Sequence, residues 1–272
     1  MTFLLWTLIP AMLLAISNIL QKIGLDTVAH KVHTHRPWEW IKTVVRNYPW
    51  WGGIGIAAVA TVGYYAAIGK YNISLVQPMM ALNPVLTALA GWLFLKEHLD
   101  RRTAVAIGLV VIGLCFAGFL HGEARGSESA TMLWVFSASC LVFVGAVRFF
   151  IHSEEVRKSL IGGVGFGLSA VLMKSLETHY LAAGSLGNAL VDLPTLARAL
   201  GYVATYLLGF VYLQVALTFG RALFVIPLTS AIGMLIPSIA GIVVFQEPFG
   251  WAKLTALGLV GFGSAMFVRF RD

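Results

Sequence analysis

Ala90-Gly91-Trp92-Leu93-Phe94-Leu95-Lys96-Glu97 returns 150 residues later as Ala240-Gly241-Ile242-Val243-Val244-Phe245-Gln246-Glu247. The register holds beyond these blocks, because Gly108, Leu109, Val110 and Gly113 meet Gly258, Leu259, Val260 and Gly263. At an offset of 149, Pro78 meets Pro227. At 152, Ser17-Asn18-Ile19-Leu20-Gln21-Lys22 meets Ser169-Ala170-Val171-Leu172-Met173-Lys174. Both copies lie in apolar segments long enough to cross a bilayer. Duplicated membrane halves are a common way to build two related gates around one central site.

Composition restricts the class. Apolar residues make up 58% of the chain and charged residues 11%, against roughly 25% charged in an ordinary soluble domain. Too few charges exist to cover a soluble surface, so lipid must cover much of it. The net charge of +7 is spread between apolar segments rather than along one face. It points to membrane topology and not to nucleic acid. Cys115 and Cys140 fall inside apolar segments without paired spacing, and neither a disulfide nor a metal framework is expected. Residues 1–9 carry no basic side chain, and no small-residue cleavage site follows Ile23, so no signal peptide is expected.

A spanning helix needs about 20 mainly apolar residues. Nine stretches qualify, at 3–22, 51–70, 73–95, 103–121, 131–151, 160–176, 198–219, 222–245 and 252–270. Tight turns at Lys70–Asn72 and Gly220–Arg221 must join the second to the third and the seventh to the eighth. Gly163 and Gly167 in the sixth have the spacing that lets helices approach closely in lipid. Pro37-Trp38-Glu39-Trp40 predicts a short interfacial helix with proline in its first turn. Asp192-Leu193-Pro194 reads as a helix start. His30, His33 and His35 lack the spacing of a metal site and read as a solvated loop.

The expected fold is therefore an all-α integral membrane protein with nine transmembrane helices in an inverted structural repeat. Residues 1–272 form one domain: 1–122 the first repeat, 131–151 an intervening helix or first helix of the second half, and 160–272 the second repeat. With nine spans, one side receives 14 of the 19 basic residues and the other 5. The rich side should be cytoplasmic, with the N-terminus outside and the C-terminus inside, in a plasma or inner membrane. Matching segments one and six then cross in opposite directions.

All 12 acidic residues fall in connections or at span ends, which argues against a carboxylate cation site at mid-membrane. No catalytic constellation is visible and no cofactor is implied, so an enzyme is not expected. The polar side chains inside the stretches are neutral. Asn18, Gln21, Gln77, Asn83, Thr87, Gln214, Tyr64 and Tyr65 are the candidates for lining a substrate path; Ser17, Ser169, Thr229 and Ser230 accompany them. Asn83 stands between Pro78 and Pro84, and Pro227 and Pro237 are expected to interrupt the eighth stretch. A proline frees a carbonyl four residues upstream, tolerated at that depth only against protein or a water-filled cavity. Ordinary helix packing is the competing reading of these polar groups. Lys22 and Lys174 occupy matching places: they act either as cations at the two mouths or as snorkelling residues in a last helical turn. Lys96-Glu97 and Gln246-Glu247 are expected to fix helix ends and gate contacts, with Glu97 and Glu247 at opposite surfaces.

Asn83-Pro84-Val85-Leu86-Thr87-Ala88-Leu89-Ala90-Gly91-Trp92-Leu93-Phe94-Leu95-Lys96-Glu97-His98-Leu99 resembles the helix-plus-acidic-turn signature of EamA-type members of the drug/metabolite transporter superfamily. The run to Gly113 resembles the final helix of that family's repeat. In its apparent nine-span layout, its lysine-bearing first span and Tyr48-Pro49-Trp50-Trp51, the chain is similar to NIPA-type magnesium transporters. The resemblance implies a helical bundle with a central cavity and alternating access. It also implies that one helix is missing relative to ten-span EamA proteins. Transport of a small organic metabolite, drug or lipid head group is the leading expectation. Mg²⁺ transport of NIPA type is the alternative, and a non-transporting membrane assembly subunit is a third reading. The partners expected are the lipid bilayer and a small-molecule or ion substrate; small-residue faces leave room for a homodimer.

Overall fold

Long runs of Leu, Ala, Val and Ile satisfy every backbone donor only by coiling into helices in lipid, and the computed structural model of the chain follows that rule. It describes residues 2–29, 37–70, 82–97, 100–119, 128–183, 192–246 and 251–269. All regular elements among them are α-helices: α1 (Thr2–Ala29), α2 (Pro37–Val45), α3 (Tyr48–Lys70), α4 (Asn83–Phe94), α5 (Arg101–Phe119), α6 (Ala130–Phe150), α7 (Glu154–Ala183), α8 (Leu193–Phe219), α9 (Ala222–Val243) and α10 (Trp251–Arg269). Within the described residues, α1, α6, α7, α8 and α9 are long and apolar enough to cross a membrane. Large apolar side chains such as Val62, Phe94, Val142 and Phe262 are exposed on the outside of the bundle, a surface suited to lipid.

Local signals set the helix ends. Pro37 opens α2. Asp192 caps α8, its carboxylate accepting from the Thr195 backbone N–H at 3.1 Å, and Ser129 caps α6. Gly220 and Arg221 make the turn between α8 and α9. The end of α4 and the end of α9 are built alike: Lys96 and Gln246, matched at the 150-residue offset, are the described non-glycine residues with positive φ, at 53° and 50°. Each stands just beyond a helix C-terminus, where a left-handed residue stops the helix.

Two features differ from the sequence expectation. Pro227 and Pro237 lie inside α9 without ending it. Residues 222–229 are buried along the whole circumference, so packing from several sides holds the helix despite the lost backbone bonds. The sixth stretch, read as 160–176, extends beyond those bounds at both ends: it belongs to α7, of 30 residues. Residues 71–81, and with them the turn expected at Lys70–Asn72, lie outside the described residues; of the third stretch, α4 is described.

The helices pair in matching fashion. α1 packs along α3 as α7 packs along α8, and α5 packs along α10. At the α5–α10 crossing the contacts are reciprocal. A Cβ on Gly113 would lie 2.6 Å from Val260 Cγ2 and 3.0 Å from the Ala256 carbonyl; one on Gly263 would lie 2.8 Å from Val110 Cγ2 and 3.0 Å from the Ala106 carbonyl. Each pair maps onto the other at an offset of 150. Because residue numbers rise on α5 as they fall on α10, the two helices are antiparallel. Gly163 and Gly167 serve the close approach expected of them, facing Ile232 and Ile236 of α9.

Gly113→Val and Gly263→Val should therefore each destabilise the protein by about 1–3 kcal/mol through overpacking, and by similar amounts. Unfolding curves in mixed micelles measure this, and one harmless variant beside one severe variant would contradict the reciprocity.

Candidate translocation site

On α1, residues 17, 18, 21 and 22 follow the one-and-four spacing that places side chains on one helical face. That face carries Ser17, Asn18, Gln21 and Lys22, and it points into the bundle. Ser17, Gln21 and Lys22 are buried and Asn18 is half-buried. Buried polar groups must find partners, and here they find them on three other helices.

The Ser17 hydroxyl donates to the Gly53 carbonyl of α3 at 2.8 Å, and Gln21 Nε2 donates to the Ser17 Oγ at 2.8 Å. Gln214 of α8 donates from Nε2 to Gln21 Oε1 at 2.6 Å. Trp50 Nε1 at the start of α3 donates to Gln214 Oε1 at 2.8 Å. The Thr218 hydroxyl donates to the Gln214 carbonyl, and Trp40 Nε1 of α2 donates to Thr218 Oγ1 at 3.3 Å. One connected network thus ties α1, α2 and α3 to α8. A second chain runs from Asn18 Nδ2 to Thr87 Oγ1 at 3.1 Å, and from the Thr87 hydroxyl to Asn83 Oδ1 at 3.2 Å. It links α1 to α4.

Lys22 is 7% exposed. Its ammonium donates to Asp26 Oδ1 at 2.6 Å and to the Leu217 carbonyl of α8 at 2.8 Å. The snorkelling reading of Lys22 is corrected: α1 continues to Ala29, so Lys22 is not in a last turn and faces α8. Placing a cation on a carbonyl of the last turn of α8 also matches that helix's dipole. Lys174 differs from its sequence counterpart. It is exposed and its ammonium sits 4.3 Å from the centre of the Phe245 ring.

Arg221 precedes α9 and provides no side-chain cap. Carboxylates from elsewhere fill that role. Glu97, just beyond α4, accepts from the backbone N–H groups of Ala222 at 2.7 Å and Leu223 at 2.9 Å. Glu155, in the first turn of α7, accepts from the Arg221 N–H at 2.7 Å. Burial raises the Glu97 carboxyl above its ordinary value, while the two N–H donors and Lys22 pull it back down. Glu97, expected to fix a helix end, places its carboxylate on the first N–H groups of α9.

These contacts also give the helix directions. Lys22 near the end of α1 and Glu155 at the start of α7 both meet the α8–α9 turn, so α1 and α7 run in opposite senses. The buried polar contacts of Lys22, Gln21, Gln214, Trp50 and Glu97 all gather at this end, called the Lys22 end below.

Tyr64 lies half-buried on α3, away from the network just described. Gln77, Glu247 and the side chain of Tyr65 lie outside the described residues. Ser169 bonds within its own helix to the Phe166 carbonyl, and the Thr229 hydroxyl reaches the Ser159 carbonyl of α7 at 3.3 Å. Sequence reasoning missed Trp50 as a donor; its place at the start of α3 gave a signal for an interface residue but none for its partner. It also missed a buried cluster at the other end. There Arg198 Nη2 lies 3.3 Å from Glu128 Oε1, while Arg198 Nε donates to the Ser175 hydroxyl and Nη1 to the Pro194 carbonyl. No group of three metal-ligating side chains occurs among the described residues.

Residues 32–119 match the model of the EamA-like transporter family. No curated protein and no solved structure gives a significant match. The matched segment contains α2 to α5, including Trp50, Asn83, Thr87 and Glu97. About a third of the chain is thus similar to the EamA-like transporter family, and the all-helical architecture with its long apolar helices is that of an integral membrane protein.

Proposed function

We propose that the protein is a secondary transporter that moves a small organic solute by alternating access between two inverted bundles, residues 1–122 and 160–272, with 131–151 between them. The observation that carries this reading is the buried bond between Gln21 and Gln214, 2.6 Å long, which joins the first bundle to the second at the Lys22 end. With Lys22 on the Leu217 carbonyl and Glu97 on the start of α9, it forms a gate that is shut in this conformation. Opening that end requires α1 and α4 to part from α8 and α9. The antiparallel α5–α10 contact, reciprocal about its own centre, is a natural axis for such rocking. Asn18, Asn83 and Thr87 lie beside the gate and would meet a solute. The Asn18–Thr87–Asn83 chain offers neutral donors and acceptors, which suit the polar groups of a small organic cargo. In the membrane, the Lys22 end, where the basic residues gather, would face the cytoplasm and the N-terminus the outside.

Reconstitution into liposomes tests this reading. Saturable counterflow of labelled small metabolites, without Mg²⁺ uptake reported by an entrapped dye, is expected. Mg²⁺ uptake without organic counterflow would transfer the cargo to the ion. Intact protein that moves neither would favour an assembly subunit.

A further inference from the structure

A second feature of the Lys22 end has no part in the gate. Arg148 in the last turn of α6, Arg157, Lys158 and Ile161 near the start of α7, and Tyr212 of α8 line a cavity of about 240 Å³. Three of these five residues are cations. One carboxylate, Glu154, is shared between two of them: it pairs with Arg157, and with Lys158 at 2.6 Å. Lys158 also lies 4.5 Å from the centre of the Phe219 ring. Arg148 has no acidic partner among the described residues. The cavity therefore holds an excess of positive charge. Its surroundings are not those of an aqueous anion site. Phe149 and Phe150, directly after Arg148, are 80% and 77% exposed, and Leu207 and Val211 of α8 are exposed on the neighbouring surface. These side chains are where acyl chains would lie if a head group entered between α6 and α8.

The geometry points to a binding site for the head group of an anionic phospholipid, with its phosphate between Arg148, Arg157 and Lys158, the Tyr212 phenol on its flank and its chains along the apolar faces of α6 and α8. Basic pockets between spanning helices take anionic head groups in this way. Arginine supplies planar paired donors for phosphate oxygens, and lysine a point charge. Ile161 is buried and forms an apolar wall. This site is independent of the identity of the transported solute.

Native mass spectrometry of the full chain released from micelles containing phosphatidylglycerol or phosphatidylcholine tests the proposal, with inorganic phosphate as a third arm. The wild-type protein is expected to retain phosphatidylglycerol in preference to phosphatidylcholine and to show no retention of inorganic phosphate. Each cation removed should weaken retention about fivefold, so Arg148→Gln with Lys158→Gln should weaken it about 25-fold. Arg148→Gln alone changes an exposed side chain and keeps the test valid if the double variant fails to fold. Arg101→Gln, an exposed cation at the same end outside the cavity, should leave retention unchanged. Equal loss in Arg101→Gln, equal retention of the two lipids, or inorganic phosphate binding as tightly as the lipid would each overturn the proposal.

Discussion

Glu128→Ala is expected to destabilise the protein by about 3–5 kcal/mol, because it leaves a buried guanidinium without its counter-charge. Arg198 is 2% exposed and reaches Glu128, Ser175 and the Pro194 carbonyl. The side chain is committed to this cluster: α8 begins at the Asp192 cap, and Arg198, within the first two turns, reaches Ser175 of α7. Removing the carboxylate alone deletes the attraction and keeps the desolvation cost. Removing both members, with Glu128→Ala and Arg198→Met, should recover much of the loss, since no charge then remains buried. Equilibrium unfolding in mixed micelles reads both effects. A single variant as stable as the wild type would mean that water or lipid head groups already solvate the guanidinium, and the cluster would not hold this end together.

That cluster also marks where sequence reading runs out. The helices, the α8 start at Asp192, the Gly220–Arg221 turn and the short α2 helix from Pro37 were all legible, because each rests on hydrophobic runs or on cap and turn chemistry within a few residues. The duplication was legible in the same way, and the paired left-handed residues Lys96 and Gln246 sit where the repeated blocks end. Partners far apart in sequence were not. Glu128 and Arg198 are separated by 70 positions, and nothing in either neighbourhood specifies the other. Gln21 and Gln214 were each readable as interior polar groups; that they bond to one another, 193 positions apart, depends on how α1 and α8 cross. Lys22 was misread for a related reason. Hydropathy stops α1 at its first charge, whereas a lysine that finds Asp26 and the end of α8 lets the helix continue. The α9 prolines show the same limit, since burial on all sides outweighs a local rule that would break an exposed helix.

The second large effect concerns the proposed gate. Gln21 and Gln214 bridge α1 and α8 through a single buried hydrogen bond, and any opening of the Lys22 end must separate them. Locking the two helices together at that point should stop transport nearly completely while leaving the fold intact, because it fixes a contact already present. Pinning a surface away from the gate, such as the outer faces of α6 and α8, should not have this effect. The comparison separates a moving gate from a merely stabilising contact.

The most direct measurement uses Gln21→Cys with Gln214→Cys in a background carrying Cys115→Ser and Cys140→Ala. The pair is joined by a short bifunctional methanethiosulfonate reagent in liposomes and later released by a reductant. Solute counterflow that is present before linking, lost in the linked protein and regained on reduction is the predicted result. Counterflow in fully linked protein at the unlinked rate would contradict alternating access through this end.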